Sequence, residues 1–209
     1  GTVRKRPAEA GEGGGDEAGR LMFQSFTSTA HPDQGPPRLA ALREGLSKAG
    51  VTGFIVPRAD IHQGEYVAPH DERLQWLTGF TGSAGFCIVL PHIAGVFIDG
   101  RYRTQVKAQV DLAYFTPVPW PETKPGAWLR EQLPNGGQVA FDPWLHTSKE
   151  IDEITAALEG TGVTLSPASN FVDSIWHDQP PSPVGPVIVQ PMVTERIELG
   201  TLVLCTAFR

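Results

Sequence analysis

The stretch Ala59 to Tyr102, ADIHQGEYVAPHDERLQWLTGFTGSAGFCIVLPHIAGVFIDGRY, holds the residue choices that decide the fold. Gly79, Gly82 and Gly85 recur every three residues and lead into the apolar run Phe86 to Leu90. A glycine-bent segment feeding a buried strand is the expected local structure. Pro91-His92 interrupts the run, and Ala94 to Ile98 resumes it as far as Asp99-Gly100. Two short apolar runs around a proline-marked reversal predict a strand, turn, strand unit. Tyr102, Val106 and Val110 then recur at intervals of four, the spacing of one helix face, with Arg103 and Lys107 sharing a polar face.

Toward the N-terminus, Pro36-Pro37 opens a helix whose Leu39, Leu42 and Leu46 form one face and whose end falls at Gly50. Gly53 to Val56 follows as a short strand stopped by Pro57. This alternation of helix and strand predicts an α/β architecture, a mixed β-sheet flanked by helices.

Toward the C-terminus, Ala113 to Phe115 reads as an edge strand, and prolines 117, 119, 121 and 125 stiffen the connection after it. Pro125 opens a helix through Trp128, Leu129 and Leu133, and Gln138 to Phe141 is a further strand. Thr147-Ser148-Lys149-Glu150 has the capping-box pattern, with Ile151, Ile154 and Leu158 as the expected buried stripe and Gly160 as the stop. Val163 to Leu165 is the last predicted strand. Phe171 to Trp176 is too short for a pattern to classify, although Asn170 is able to cap a turn there.

The composition narrows the function classes. The chain has 209 residues, 40% of them hydrophobic, and a formal net charge of −6, so nucleic acid, which needs a concentrated basic face, is not an expected partner. Two cysteines far apart, Cys87 and Cys205, make neither a disulfide framework nor a zinc site. No apolar run approaches the ~18 residues of a membrane helix, and no apolar leader is visible at the N-terminus. The expected compartment is the cytoplasm, with no membrane partner.

The motifs exclude more chemistry than they supply. Glycines spaced by three, placed before a strand, do not match the dinucleotide fingerprint. Gly82-Ser83-Ala84-Gly85 fails the nucleophile-elbow spacing because Thr81 stands two residues before Ser83, which reads as a turn residue. Asp60, His62, Glu65, His70, Asp71 and Glu72 can be drawn as metal ligands, yet lack a helical ligand spacing. The preferred reading puts His62, Glu65 and Tyr66 on a polar loop and Asp71 and Glu72 at a helix start, where acids suit the macrodipole. Trp76 and Phe80 read as core. No catalytic residue and no metal ligand is assigned.

The segments HQGEYVAPHDERLQWLTGFTGSAG and DGRY resemble the N-terminal domain of cytosolic Xaa-Pro aminopeptidases, the aminopeptidase P group of the creatinase and prolidase superfamily. The resemblance runs from about Arg38 to about Pro186. It implies a creatinase/prolidase N-terminal-like domain at 36–176, preceded by a disordered or irregular tail at 1–35. After it come a proline-rich linker at 177–191 and a truncated or non-family tail at 192–209.

The function the resemblance implies is that of a non-catalytic N-terminal domain contributing substrate access and dimer contacts. The enzyme concerned releases an N-terminal residue preceding proline and uses two metal ions, usually manganese, held in a separate catalytic domain. The implied partners are a peptide with proline at its second position and, in the full-length enzyme, a second copy of the chain. Arg101 of the DGRY segment is the leading candidate for substrate binding, since a guanidinium offers planar two-point recognition of a carboxylate. His62 and Tyr66 are secondary candidates. Arg101 has an alternative as a surface pair with Asp99 or Asp111. The whole chain has one too, as a stand-alone protein-interaction module without catalytic activity.

Overall fold

A computed structural model describes residues 30–185 of the chain. Six strands form one sheet: β1 (Gly53–Pro57), β2 (Gly85–Val89), β3 (Ala94–Ile98), β4 (Thr116–Pro119), β5 (Gly137–Phe141) and β6 (Val163–Pro167). Their spatial order is β4-β3-β2-β1-β5-β6. Only β2 runs antiparallel to its neighbours; β1 and β5, β5 and β6, and β3 and β4 pair in parallel. The helices are α1 (Gly35–Lys48), α2 (Arg73–Thr78), α3 (Gln105–Gln109), α4 (Pro125–Gln132) and α5 (Ser148–Ala157). This is the mixed sheet between helices that the sequence predicts.

The central strands are apolar runs, not alternating patterns, because both faces of the sheet are covered. Phe54, Val56, Cys87, Val89, Val96 and Ile98 pack on one side with Leu39, Leu42 and Leu46 of α1 and Leu74 and Leu77 of α2. Ile55, Ile88, Phe97, Val139 and Phe141 pack on the other with Trp128 and Leu129 of α4. Cys87 is fully buried, and desolvation pushes its thiol far above the ordinary range, so it acts as a small hydrophobe.

The strand predicted at 113–115 is instead a turn, and the edge strand is Thr116–Pro119, inside the supposed connection. The prolines allow this because of where they fall. The Trp120 amide donates to the Ile98 carbonyl, so by alternation the nitrogens of Pro117 and Pro119 face away from the ladder. The helix expected across Tyr102 to Val110 is also broken: Gly100–Tyr102 forms a 3-10 turn and α3 begins only at Gln105. Asp99 causes the early turn by accepting the Arg101 amide at 2.8 Å. Val106 and Val110 are buried as the spacing requires.

On α5 the capping box forms, with Glu150 accepting the Thr147 amide at 2.9 Å and Thr147 accepting the Glu150 amide at 3.3 Å. Ile151 and Ile154, expected to be buried, are only half-buried; Leu158 is fully covered. Pro32–Gln34 forms a 3-10 turn ahead of α1, and Gly35 is buried against the Phe115 ring. Residues 171–176 fold back as turns on the α1 and α2 side, where Val172 accompanies Trp176 into the core and Asn170 caps the Val172 amide. Gln179 and Pro180 are tied to His70. The tail at 192–209 lies outside the described residues.

Candidate functional site

Five of the six strands point the same way, so the segments leaving β1, β3, β4, β5 and β6 gather at one edge of the sheet with the residues entering β2. In open α/β sheets the crevice at the carboxyl ends of the strands is the usual ligand site. Arg101, His62 and Tyr66 all lie on this edge, Arg101 after β3 and the other two after β1.

Asp60 shapes the loop after β1. Its Oδ1 accepts the amides of His62 at 2.8 Å and Gly64 at 3.1 Å, and its carbonyl accepts the Gln63 amide. This Asx turn draws Gln63 to a φ of 55° and leaves His62 and Tyr66 facing solvent, Tyr66 being 77% exposed. Asp60 itself is 2% exposed, a residue buried for its turn.

The glycine-rich segment places Ser83 against the DGRY turn. Gly79 ends α2 at φ 84°, and a Cβ there would lie 2.5 Å from the Gln109 carbonyl oxygen. A Cβ on Gly82 would fall 2.2 Å from the Phe80 ring. With both positions bare, Thr81 packs beside α3, donating its amide to Gln109 Oε1 at 3.0 Å. Gln109 Nε2 donates back to the Thr81 hydroxyl at 2.7 Å. The Ser83 and Tyr102 hydroxyls then meet at 2.5 Å, while the Tyr102 ring stands edge-on to Phe80.

Arg58 joins the two loops. Its Nη1 donates to the carbonyls of Glu65 at 3.2 Å and Ser83 at 3.1 Å, and its Nη2 lies 3.5 Å from Glu72. Burial raises the Glu72 carboxyl above the ordinary range, and the Arg58 charge opposes that rise. A continuous polar path therefore runs from the loop of His62 and Tyr66 through Arg58 and Ser83 to Tyr102 and Arg101. The hydrogen bond to Ser83 lowers the Tyr102 phenol, with a smaller contribution from the Arg101 charge.

Arg101 donates from Nε to Asp99 Oδ1 at 2.9 Å and from Nη2 to Oδ2 at 3.3 Å, with its guanidinium carbon 5.2 Å from the Tyr102 ring centre. Its side chain is 66% exposed, so the pairing with Asp99 leaves donors turned to solvent. The pair lowers the Asp99 carboxyl and raises the guanidinium, each through their mutual hydrogen bonds first. In water-filled surroundings such a pair contributes little to stability.

Three of the residues drawn as metal ligands are occupied elsewhere. Asp71 pairs with Arg73 at 2.9 Å, Glu72 faces Arg58, and His70 Nδ1 donates to the Pro180 carbonyl at 2.6 Å. Among the described residues no three His, Cys, Asp or Glu side chains converge on a point that would hold a cation, so this edge does not fit a metal ion. Phe80 is core, as expected. Trp76 is half-buried between the Trp176 ring, stacked at 5.2 Å, and the Arg38 guanidinium at 4.4 Å. Arg58 escaped the sequence reading because its partners, at 65 and 83, are backbone carbonyls that no motif marks.

Residues 38–175 match the family model of the creatinase/prolidase N-terminal domain. The chain is 38% identical to human Xaa-Pro aminopeptidase 2 over 151 residues, which is 71% of this chain and 22% of that protein. It is also 38% identical to a probable Xaa-Pro aminopeptidase P of Arthroderma otae over 165 residues, 74% of this chain and 26% of that protein. The chain thus spans about a quarter of the length of these relatives. Among solved structures, it is similar to X-prolyl aminopeptidase from Caenorhabditis elegans, a cytosolic enzyme with a di-nuclear active site. The TM-score is 0.64 at 29% identity, covering 70% of this chain and 26% of that one. The N-terminal domain of the cytoplasmic peptidase PepQ from Mycobacterium tuberculosis H37Rv shares the fold, with TM-score 0.52 at 24% identity over 66% of this chain and 98% of that one.

Proposed function

The chain belongs to the creatinase/prolidase N-terminal domain family, and on that premise we propose that it serves as the non-catalytic, substrate-admitting domain of a Xaa-Pro aminopeptidase. Such an enzyme releases the residue preceding a proline, in the cytoplasm and as a homodimer in this reading. When bound in a separate catalytic domain, its metal pair, here assigned as manganese, supplies an activated water. The carrying observation is the carboxyl-edge arrangement: an exposed guanidinium at Arg101, held over Tyr102 and linked through Ser83 and Arg58 to the loop that presents His62 and Tyr66.

An exposed pair with Asp99 keeps Arg101 oriented at small cost, and an incoming peptide carboxylate can displace Asp99 or share the guanidinium with it. His62 and Tyr66 supply an imidazole and a phenol on a turn fixed by Asp60, so they line the approach without a core to support. The prediction is that Arg101→Ala, in the chain joined to its catalytic domain, lowers kcat/KM for Xaa-Pro peptides by about tenfold or more, the loss expected of a charge-assisted contact. The unfolding midpoint should not move. Unchanged kcat/KM would remove Arg101 from substrate admission, and chelator-sensitive peptide hydrolysis by the 209-residue chain alone would overturn the non-catalytic reading.

A further inference from the structure

Ile154, half-buried on α5, faces a cavity. Between α5, the start of α4 and the ends of β1 and β2 lies a space of about 490 Å³, open to solvent on one side. That is within the ~300–1,000 Å³ of ordinary ligand pockets. Its apolar walls are Phe86, Trp120 and Ile154, each packed against the core on one side and only half covered. Phe86 and Trp120 meet edge to face at 6.1 Å and form an aromatic corner. Arg101, His62 and Tyr66 do not line it, while Arg58 and Gln63 of the edge described above do, so the space adjoins that edge.

Charges of both signs stand at its rim. Lys124 is exposed and makes no ion pair among the described residues. To the same lining α5 contributes Glu150 and Glu153, one turn apart. Glu150 has one oxygen engaged by the Thr147 amide and hydroxyl; Glu153 has only a loose 3.9 Å contact with Lys149. On the wall stands His146, whose buried Nε2 has no hydrogen-bond partner among the described residues.

Charges of both signs and an uncovered aromatic corner in one lining select for a molecule that carries both charges beside a large apolar group. We propose that this cavity binds a small zwitterion with a large apolar side chain, an α-amino acid of the phenylalanine or leucine kind. Its ammonium group lies against Glu153 and Glu150, its carboxylate against Lys124, and its side chain against Phe86, Trp120 and Ile154. Such binding does not depend on the peptidase reading, and its test measures binding alone.

The test is calorimetric titration of the 209-residue chain with L-phenylalanine, its amide and its N-acetyl derivative. Saturable binding of L-phenylalanine at millimolar concentration is expected, with each derivative about tenfold weaker because it lacks one of the two charges. Lys124→Met should abolish the preference over the amide, and Glu153→Gln the preference over the N-acetyl form. Ala84→Trp, which fills the cavity from its wall, should remove binding. No saturable heat from L-phenylalanine overturns the proposal, as does equal binding of all three compounds. Unaltered binding to a folded Ala84→Trp protein overturns the location. If that variant does not fold, the two rim variants decide, both at exposed positions, and unaltered preferences in them overturn the proposal.

Discussion

Replacing Arg73 by methionine should unfold the domain more readily than any change at the candidate site. Arg73 opens α2 with its side chain 6% exposed. It donates to Asp71 Oδ1 at 2.9 Å and to both Asp173 oxygens, at 2.6 and 3.0 Å. Arg73 and Asp173 are a hundred residues apart, so these bonds clamp the 171–176 turns, with Val172 and Trp176, onto the α1 and α2 side of the sheet. The burial that would weaken this guanidinium is outweighed by its hydrogen bonds to Asp173 and Asp71, and its pKa is raised. Methionine keeps much of the apolar stem but leaves two carboxylates without their cation. Breaking a buried pair costs about 3–5 kcal/mol, and because the Asp173 side chain is 35% exposed the lower figure, about 3 kcal/mol, applies. With a urea slope of about 2 kcal/mol per molar, the unfolding midpoint falls by about 1.5 M. Adding Asp173→Asn should recover part of the loss, since it removes one stranded charge. A midpoint drop under about 0.5 M at unchanged slope would refute the clamp.

Gly79→Ala should cost about 2–4 kcal/mol. It combines the left-handed penalty of about 1–2 kcal/mol with overpacking of a Cβ 2.5 Å from the Gln109 carbonyl, and a thermal unfolding loss below about 1 kcal/mol would contradict it. Thr147→Ala should cost about 1 kcal/mol through the lost cap while Thr147→Ser retains stability, as read from urea curves. His146 is lowered by burial against the weaker pull of Glu150 and Asp142. Its folded pKa therefore lies below the unfolded value of about 6.5, and the unfolded chain takes up the proton first. The stability it contributes is complete above that value and lost as pH falls below it toward the folded pKa. The drop in melting temperature between about pH 7.5 and 5 should be smaller in His146→Gln than in the parent chain, and equal drops would discard the assignment.

The sequence by itself determined the elements whose cause is local. Apolar runs at 53–56, 86–90, 94–98 and 138–141 are strands because a strand covered on both faces needs no polar alternation, and they read the same way in one dimension. The α5 cap is legible because its two partners are three residues apart. The resemblance carried by TGFTGSAG and DGRY was legible too, and with it the family. Tertiary structure alone decided what depends on partners distant in the chain. The strand at Thr116–Pro119 survives its prolines only because it lies at an edge with their nitrogens turned outward, and edge position is a property of the assembled sheet. Arg58 is defined by two backbone carbonyls, Ser83 by a hydroxyl 19 residues away and Arg73 by a carboxylate 100 residues away. Ile154 matched the buried stripe by spacing yet faces a cavity, because periodicity tells which side of a helix turns inward and not whether the neighbouring element reaches it.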